Sequence, residues 1–130
     1  MHAQTEKETL QPDRKKVLTK AIHRLQNELG LSRQELSFIL GPSEATFSRL
    51  FNHSSENPKY LDPSSKEGEL AILLLKLYKN LDLLLGGNKN QCQLWLRSEN
   101  KHLGGKPVDL IKKVDGLMMT VQYLEAMRGK

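Results

Sequence analysis

An all-α fold is predicted for this chain, an N-terminal helix-turn-helix bundle followed by a small leucine-rich helical domain. Three observations predict it. Apolar residues recur at helical spacing in long runs, Leu18-Ile22-Leu25-Leu29 and Leu70-Leu74-Leu77-Leu81 among them, and that period marks one face of a helix. Gly30, Gly41, Gly86-Gly87 and Gly104-Gly105 punctuate the runs, as expected where the backbone must turn sharply. Residues 29–51, LGLSRQELSFILGPSEATFSRLF, read as two capped helices joined by a tight turn. A chain of 130 residues is long enough to bury a sizeable core without an external staple.

Residues 1–11 carry too few apolar side chains to offset the entropy of ordering, and a flexible arm is expected there. Pro12-Asp13 then opens a helix over residues 13–29, with Val17, Leu18, Ile22, Leu25 and Leu29 on its apolar side and Gly30 as C-cap. Arg14, Lys15, Lys16 and Lys20 line its early turns, a row that suits either phosphate contact or a solvated face. Ser32, with Glu35 three residues on, forms a capping box that satisfies two amide donors at the next helix start. Leu36, Ile39 and Leu40 face the core, Gly41 allows the turn, and Ser43 caps the second helix of the pair. Small Ser37 stands where two steeply crossing helices approach closely.

Phe47 and Leu50 give that second helix its buried stripe, which leaves Ser43, Glu44, Ala45, Thr46, Ser48 and Arg49 with nothing to bury. These are short or hydrogen-bonding types suited to a major groove, and operator DNA is the expected partner. The competing reading is a solvated hairpin in which Glu44 complements a helix N-terminus and Arg49 merely solubilises. Agreement among the caps, the turn glycine and the apolar positions favours DNA.

The polar stretch NHSSENPKYLDPSS after Phe51 is a loop, and it divides residues 12–60 from a second unit over residues 61–130. Asp62-Pro63 has the form of an N-cap with proline at the first helical position. A central helix then runs through GELAILLLKLYKNLDLLLGGN, stopped by Gly86-Gly87. Leu70, Leu73, Leu74, Leu77, Tyr78, Leu81, Leu84 and Leu85 make its stripe, while Ile72, Leu75 and Leu83 lie off it and need further cover from this chain or a partner. Lys76, Lys79 and Asp82 interrupt the run, so it is no bilayer span. Asn88 caps a short helix carrying Trp95, Asn100 to Pro107 forms a turn, residues 107–111 a brief helix, and residues 115–127 the last one.

The formal charge of +5 favours polyanionic partners without singling out a site. Residues 1–60 hold nine Lys/Arg against seven Asp/Glu and the remainder eleven against eight, so the excess is spread. The lone Cys92 cannot form an intramolecular disulfide and reads as a small buried residue. His2, His23, His53 and His102 have no ligand partners at metal spacing, so neither a metal nor a cofactor is expected. No nucleophile triad, paired carboxylates or phosphate-loop motif appears, which argues against an enzyme. The polar N-terminus lacks the apolar core of a signal peptide, and a cytoplasmic location without membrane attachment is expected.

The helix-turn-helix segment resembles that of Xre-type repressors, with Pro42 where a small aliphatic residue is usual. From Leu70 onward the chain resembles the C-terminal domain of Xre/MbcA/ParS-type antitoxins. Trp95-Leu96 followed by Asn100, Leu103, Gly104, Gly105, Pro107 and Leu110 carries this resemblance, together with Gly116-Leu117 near the start of the last helix. Lys106 and Lys113 stand where that family often has a capping Ser or Thr. The resemblance implies an antitoxin that binds and neutralises a RES-domain toxin acting on NAD, by degradation or ADP-ribosylation, and that represses its own operon. Toxin contact is then expected through Trp95, Leu103, Gly104, Gly105, Met119, Tyr123, Met127, Arg128 and Lys130. A toxin pocket built for an anionic dinucleotide would accept the carboxylate at Lys130 as a phosphate mimic while Arg128 meets an acidic side chain; the rival geometry binds through Trp95, Tyr123 and the methionines alone, with the tail free. A homodimer within a heteromeric complex is expected, and the alternative is an ordinary dimeric repressor without a toxin.

Overall fold

The computed structural model describes residues 2–52 and 54–129, with side chains from Arg14 onward. Met1, His53 and Lys130 lie outside the described residues; the first helix is already formed at His2, so it begins ahead of the start expected at Asp13 and takes in residues 2–11, where an arm was expected. Seven helices occur among the described residues: α1 (His2–Leu29), α2 (Arg33–Leu40), α3 (Glu44–Leu50), α4 (Lys66–Leu84), α5 (Lys89–Arg97), α6 (Pro107–Leu110) and α7 (Val114–Arg128). The only β pairing in them is an isolated bridge between Asn100 and Gly105.

The helix-turn-helix forms as its caps dictate. Ser32 Oγ accepts the Glu35 amide at 3.0 Å while Glu35 Oε1 accepts the Ser32 amide at 2.9 Å, completing the capping box. Gly41 turns the chain at φ 107, a conformation that would strain any residue with a Cβ. Ser37 Oγ donates to the Pro42 carbonyl at 2.7 Å, so this small residue clamps the turn as well as permitting close approach. Behind the pair, Phe51 is sandwiched between the His23 ring, stacked at 4.3 Å, and the Arg33 guanidinium, 4.8 Å from the ring centroid.

One hydrophobic core runs through both halves of the chain, and α4 is its spine. It packs most extensively against α7 and also touches α1, α2 and α5. Ala71, Leu74, Leu77 and Leu81 are buried along it, each leucine contributing roughly 1.5–3 kcal/mol of transfer free energy. Gly68 is also buried, and a Cβ there would lie 1.8 Å from the Asp62 carbonyl oxygen, so the close approach of that backbone admits only glycine. Cys92 is buried, and that burial pushes its thiol pKa up. No described helix is long and apolar enough to cross a membrane.

Three expectations are corrected. Val17 is 66% exposed and does not belong to the α1 stripe; Leu18 and Ile22 already fill the side facing the core. The cap of α4 is Ser65, whose Oγ accepts the Gly68 amide at 3.0 Å. Asp62-Pro63 instead makes a preceding turn, with Asp62 Oδ1 accepting from the Ser64 amide and hydroxyl; those bonds lower the Asp62 pKa. Leu84, expected on the α4 stripe, is 37% exposed, since it stands at the last turn of the helix; of the off-stripe residues Leu75 packs against the core and Leu83 is left without cover from this chain, at 63% exposed.

Candidate nucleic-acid and protein interfaces

The α3 face is built outward from its cap. Ser43 Oγ accepts the Thr46 amide at 3.1 Å and lies 2.9 Å from the Thr46 hydroxyl. That hydroxyl in turn accepts a hydrogen bond from Arg49 Nη2 at 3.3 Å. Three of the expected DNA-contacting residues are thus linked in a line along the helix, and the guanidinium is steadied on the surface. Ser43, Glu44, Ala45, Ser48 and Arg49 are exposed and Thr46 is half-buried. Phe47 and Leu50 are buried beneath them.

Sequence reasoning missed Arg33. This first residue of α2 donates to Ser48 Oγ at 3.3 Å, which brings a second guanidinium to the edge of the α3 face. In helix-turn-helix complexes the first helix of the pair crosses the phosphate backbone, so a cation at its start suits a phosphate. Its position directly after the cap residue Ser32 was the available signal.

The second surface gathers around α7. Met119, Tyr123 and Met127 recur every fourth residue along it, with Met119 40% exposed, Met127 similarly so and Tyr123 half-buried. The His102 ring stacks on Tyr123 at 6.0 Å, joining the turn after α5 to this strip. Asn100 organises that turn: its Oδ1 accepts the Leu103 amide at 3.0 Å, and its backbone pairs with Gly104 and Gly105. Gly104 is exposed and Gly105 half-buried, whereas Leu103 is only 7% exposed and anchors the turn inward. Trp95 is half-buried against the core. A depression of about 360 Å³ at the α6–α7 junction is lined by Asp109, Leu110, Lys113, Asp115, Gly116 and Met119. Neither Lys106 nor Lys113 caps its helix with a side-chain bond; at α7 Asp115 Oδ1 accepts the Gly116 amide instead, at 2.9 Å.

Arg128 lies at the end of α7, where its Nη1 donates to Asn80 Oδ1 at 2.8 Å. Asn80 is buried and its own amide donates to the Lys76 carbonyl at 2.8 Å, so this contact pins the close of α7 to α4. Lys130, expected at the same surface, is outside the described residues.

A charged clamp absent from the sequence reading joins α5 to the start of α2, and so the two halves of the chain. Arg97, the last residue of α5, meets Glu35 through two bonds of 2.8 and 2.9 Å and donates to the Gly30 carbonyl at 2.8 Å. Gln93, one turn earlier, donates to the Glu28 carbonyl at 3.2 Å. Hydrogen bonding from Arg97 is the largest cause of a Glu35 pKa lowered to about 2. The carboxylate therefore caps α2 and receives α5 at the same time. No group of metal-ligating side chains assembles among the described residues.

Fold and faces define a helix-turn-helix protein with a second helical unit packed directly against it. Comparison with known families makes the class specific: residues 8–76 match the antitoxin Xre-like helix-turn-helix domain, and residues 80–130 match the antitoxin Xre/MbcA/ParS C-terminal toxin-binding domain. The chain belongs to the Xre-type antitoxins. It joins a DNA-binding domain to a toxin-binding one, and neither matched family is an enzyme family. No curated protein matches the sequence significantly.

Proposed function

We propose that this antitoxin neutralises a RES-domain toxin that degrades NAD or transfers ADP-ribose from it, and represses its own operon through α3. The observation that carries the reading is the pairing of the two family matches in one chain. The toxin surface is the strip Met119–Tyr123–Met127 together with Trp95 and the 100–105 turn. Methionines suit such a surface, since unbranched thioethers adapt to a partner's contours. Arg128, at the end of the strip, enters the toxin's active site, where its guanidinium faces an acidic side chain, and the carboxylate at Lys130 follows it as a phosphate mimic. Engaging that side chain means exchanging the Asn80 contact for a charge-assisted one. Residues 12–60 form the operator-binding unit and residues 61–130 the toxin-binding unit.

Expressing the adjacent gene with and without this one tests the reading. Rescue of growth and co-elution of the two products are expected, with NAD levels restored. A variant lacking residues 128–130 is expected to bind the toxin and yet leave NAD consumption above the intact pair's. Unchanged inhibition by that variant would reject the tail as an active-site plug, and an adjacent product that neither harms growth nor binds would leave an ordinary dimeric repressor.

The operator is read by Arg49 in this proposal. Arg49→Ala is expected to weaken binding and to relax preference at one base pair by about 1–3 kcal/mol, measured by gel shift against operators varied one position at a time. Equal affinity and equal selectivity would show that Arg49 is only surface decoration. The antitoxin acts as a homodimer, which places two recognition helices roughly 34 Å apart on one face of the duplex.

A further inference from the structure

We infer that the cleft between α1 and the loop following α3 is a binding subsite for a phosphodiester of the DNA backbone, beside the bases that α3 faces. This rests on the reading of α3 as a groove-entering helix and adds a second, sequence-independent contact to it. The cleft, of about 320 Å³, is lined by Lys16 and Lys20 from α1, by Leu50 at the end of α3, and by Asn52, Pro58 and Tyr60.

The chemistry of the lining selects an anion. Lys16 and Lys20 are one helical turn apart and exposed, and like charges at that spacing repel. An anion seated between them removes the repulsion. Among the described residues neither lysine pairs with a carboxylate; Asp62 is taken by Lys15, at 3.9 Å. Asn52 Oδ1 already accepts from the Ser54 amide and hydroxyl, at 3.2 and 2.8 Å, which leaves its Nδ2 group as donor. Two ammonium groups, an amide and a phenol therefore line the cleft, and no carboxylate does. That is the complement of a phosphate's acceptor oxygens.

The cleft is held in shape by a buried bond. Thr19, on α1 next to Lys20, accepts the Leu61 amide on its Oγ1 at 2.8 Å and donates to the Lys15 carbonyl at 2.8 Å. The far end of the loop, with Tyr60, is thereby tied across α1. Position then selects the polymer. α3 has seven residues and is about 10 Å long, while the major groove is about 12 Å wide. Groups just past the C-terminal end of a helix lying across that groove meet its wall, a row of phosphates.

The test is binding of the full chain to the DNA immediately upstream of its own coding sequence, and to a random-sequence duplex, over a series of potassium chloride concentrations. For Lys16→Gln with Lys20→Gln we expect affinity for both duplexes to fall about tenfold and the slope of log K against log salt to shrink by about 1, with sequence preference unchanged. Lys16→Arg with Lys20→Arg should keep the wild-type slope. A glutamine pair that binds with an unaltered slope, or that loses preference, would overturn the phosphate subsite alone. Wild-type chain that binds neither duplex would overturn it together with the reading of α3. Inorganic phosphate alone should not raise the melting temperature; a rise abolished by the glutamine pair, with no change in salt slope, would assign the cleft to free phosphate instead.

Discussion

Replacing Gly116 by alanine is expected to destabilise the chain by about 3 kcal/mol, near the upper end of what overpacking costs. A Cβ at this position would stand 1.9 Å from the Leu110 carbonyl oxygen and 2.8 Å from its carbonyl carbon. The obstacle is backbone, so no rotamer change relieves it. α7 would have to lift away from α6, and the same helix buries Leu117, Val121 and Leu124 in the core. In a chain of this size that corresponds to a fall of roughly 10 °C in Tm, measurable by calorimetry or denaturant titration. Toxin affinity should drop with it, because Met119 and Tyr123 ride on the displaced segment. An unchanged midpoint would contradict the packing described for this junction.

Cutting the Glu35–Arg97 clamp should have the second largest effect, and one that depends on pH. Glu35 titrates at about 2 in the fold against an ordinary 4.5, which by linkage is worth at most about 3 kcal/mol. Arg97 is 44% exposed at its side chain, so solvent screening reduces this to about 1–2 kcal/mol. Because the folded-state pKa is depressed, the contribution is complete above about pH 4.5 and disappears as the pH falls toward 2. Denaturant midpoints of wild type and Glu35→Gln should therefore differ at pH 7 and converge on acidification through that window. Arg97→Met should behave likewise, and a gap that stayed constant with pH would show that the pair contributes no charge-dependent stability.

Much of the fold was legible because it is written locally. Ser32 with Glu35, Ser43, Asn88, Gly41 and Gly86-Gly87 all act within a turn or two of their own position, where capping and φ > 0 need no knowledge of the rest of the chain. Val17 misled because periodicity alone gives the spacing of a stripe and not its width, and α1 needs only a narrow one here. Asp62-Pro63 misled because two successive capping turns are written in DPSS and only the later one, at Ser65, starts the helix. The α3 face was legible as the residue set left over once Phe47 and Leu50 were buried. What escaped is long-range: Arg97 reaches Glu35 across 62 positions, and Thr19 reaches Leu61 across 42. Nothing in the spacing of either pair marks them, since an arginine or threonine on a helix has many possible partners until the tertiary arrangement chooses one.

The two family matches stop at residue 76 and resume at residue 80, and both positions lie within the single uninterrupted helix α4. The helix-turn-helix domain and the toxin-binding domain therefore share one helix and have no joint between them. Any recombination that splices one antitoxin's helix-turn-helix domain onto another's toxin-binding domain has to preserve the phase of that helix. A single inserted residue would rotate one half against the other by about 100°, tearing Arg97 from Glu35 even though every residue of both modules was retained.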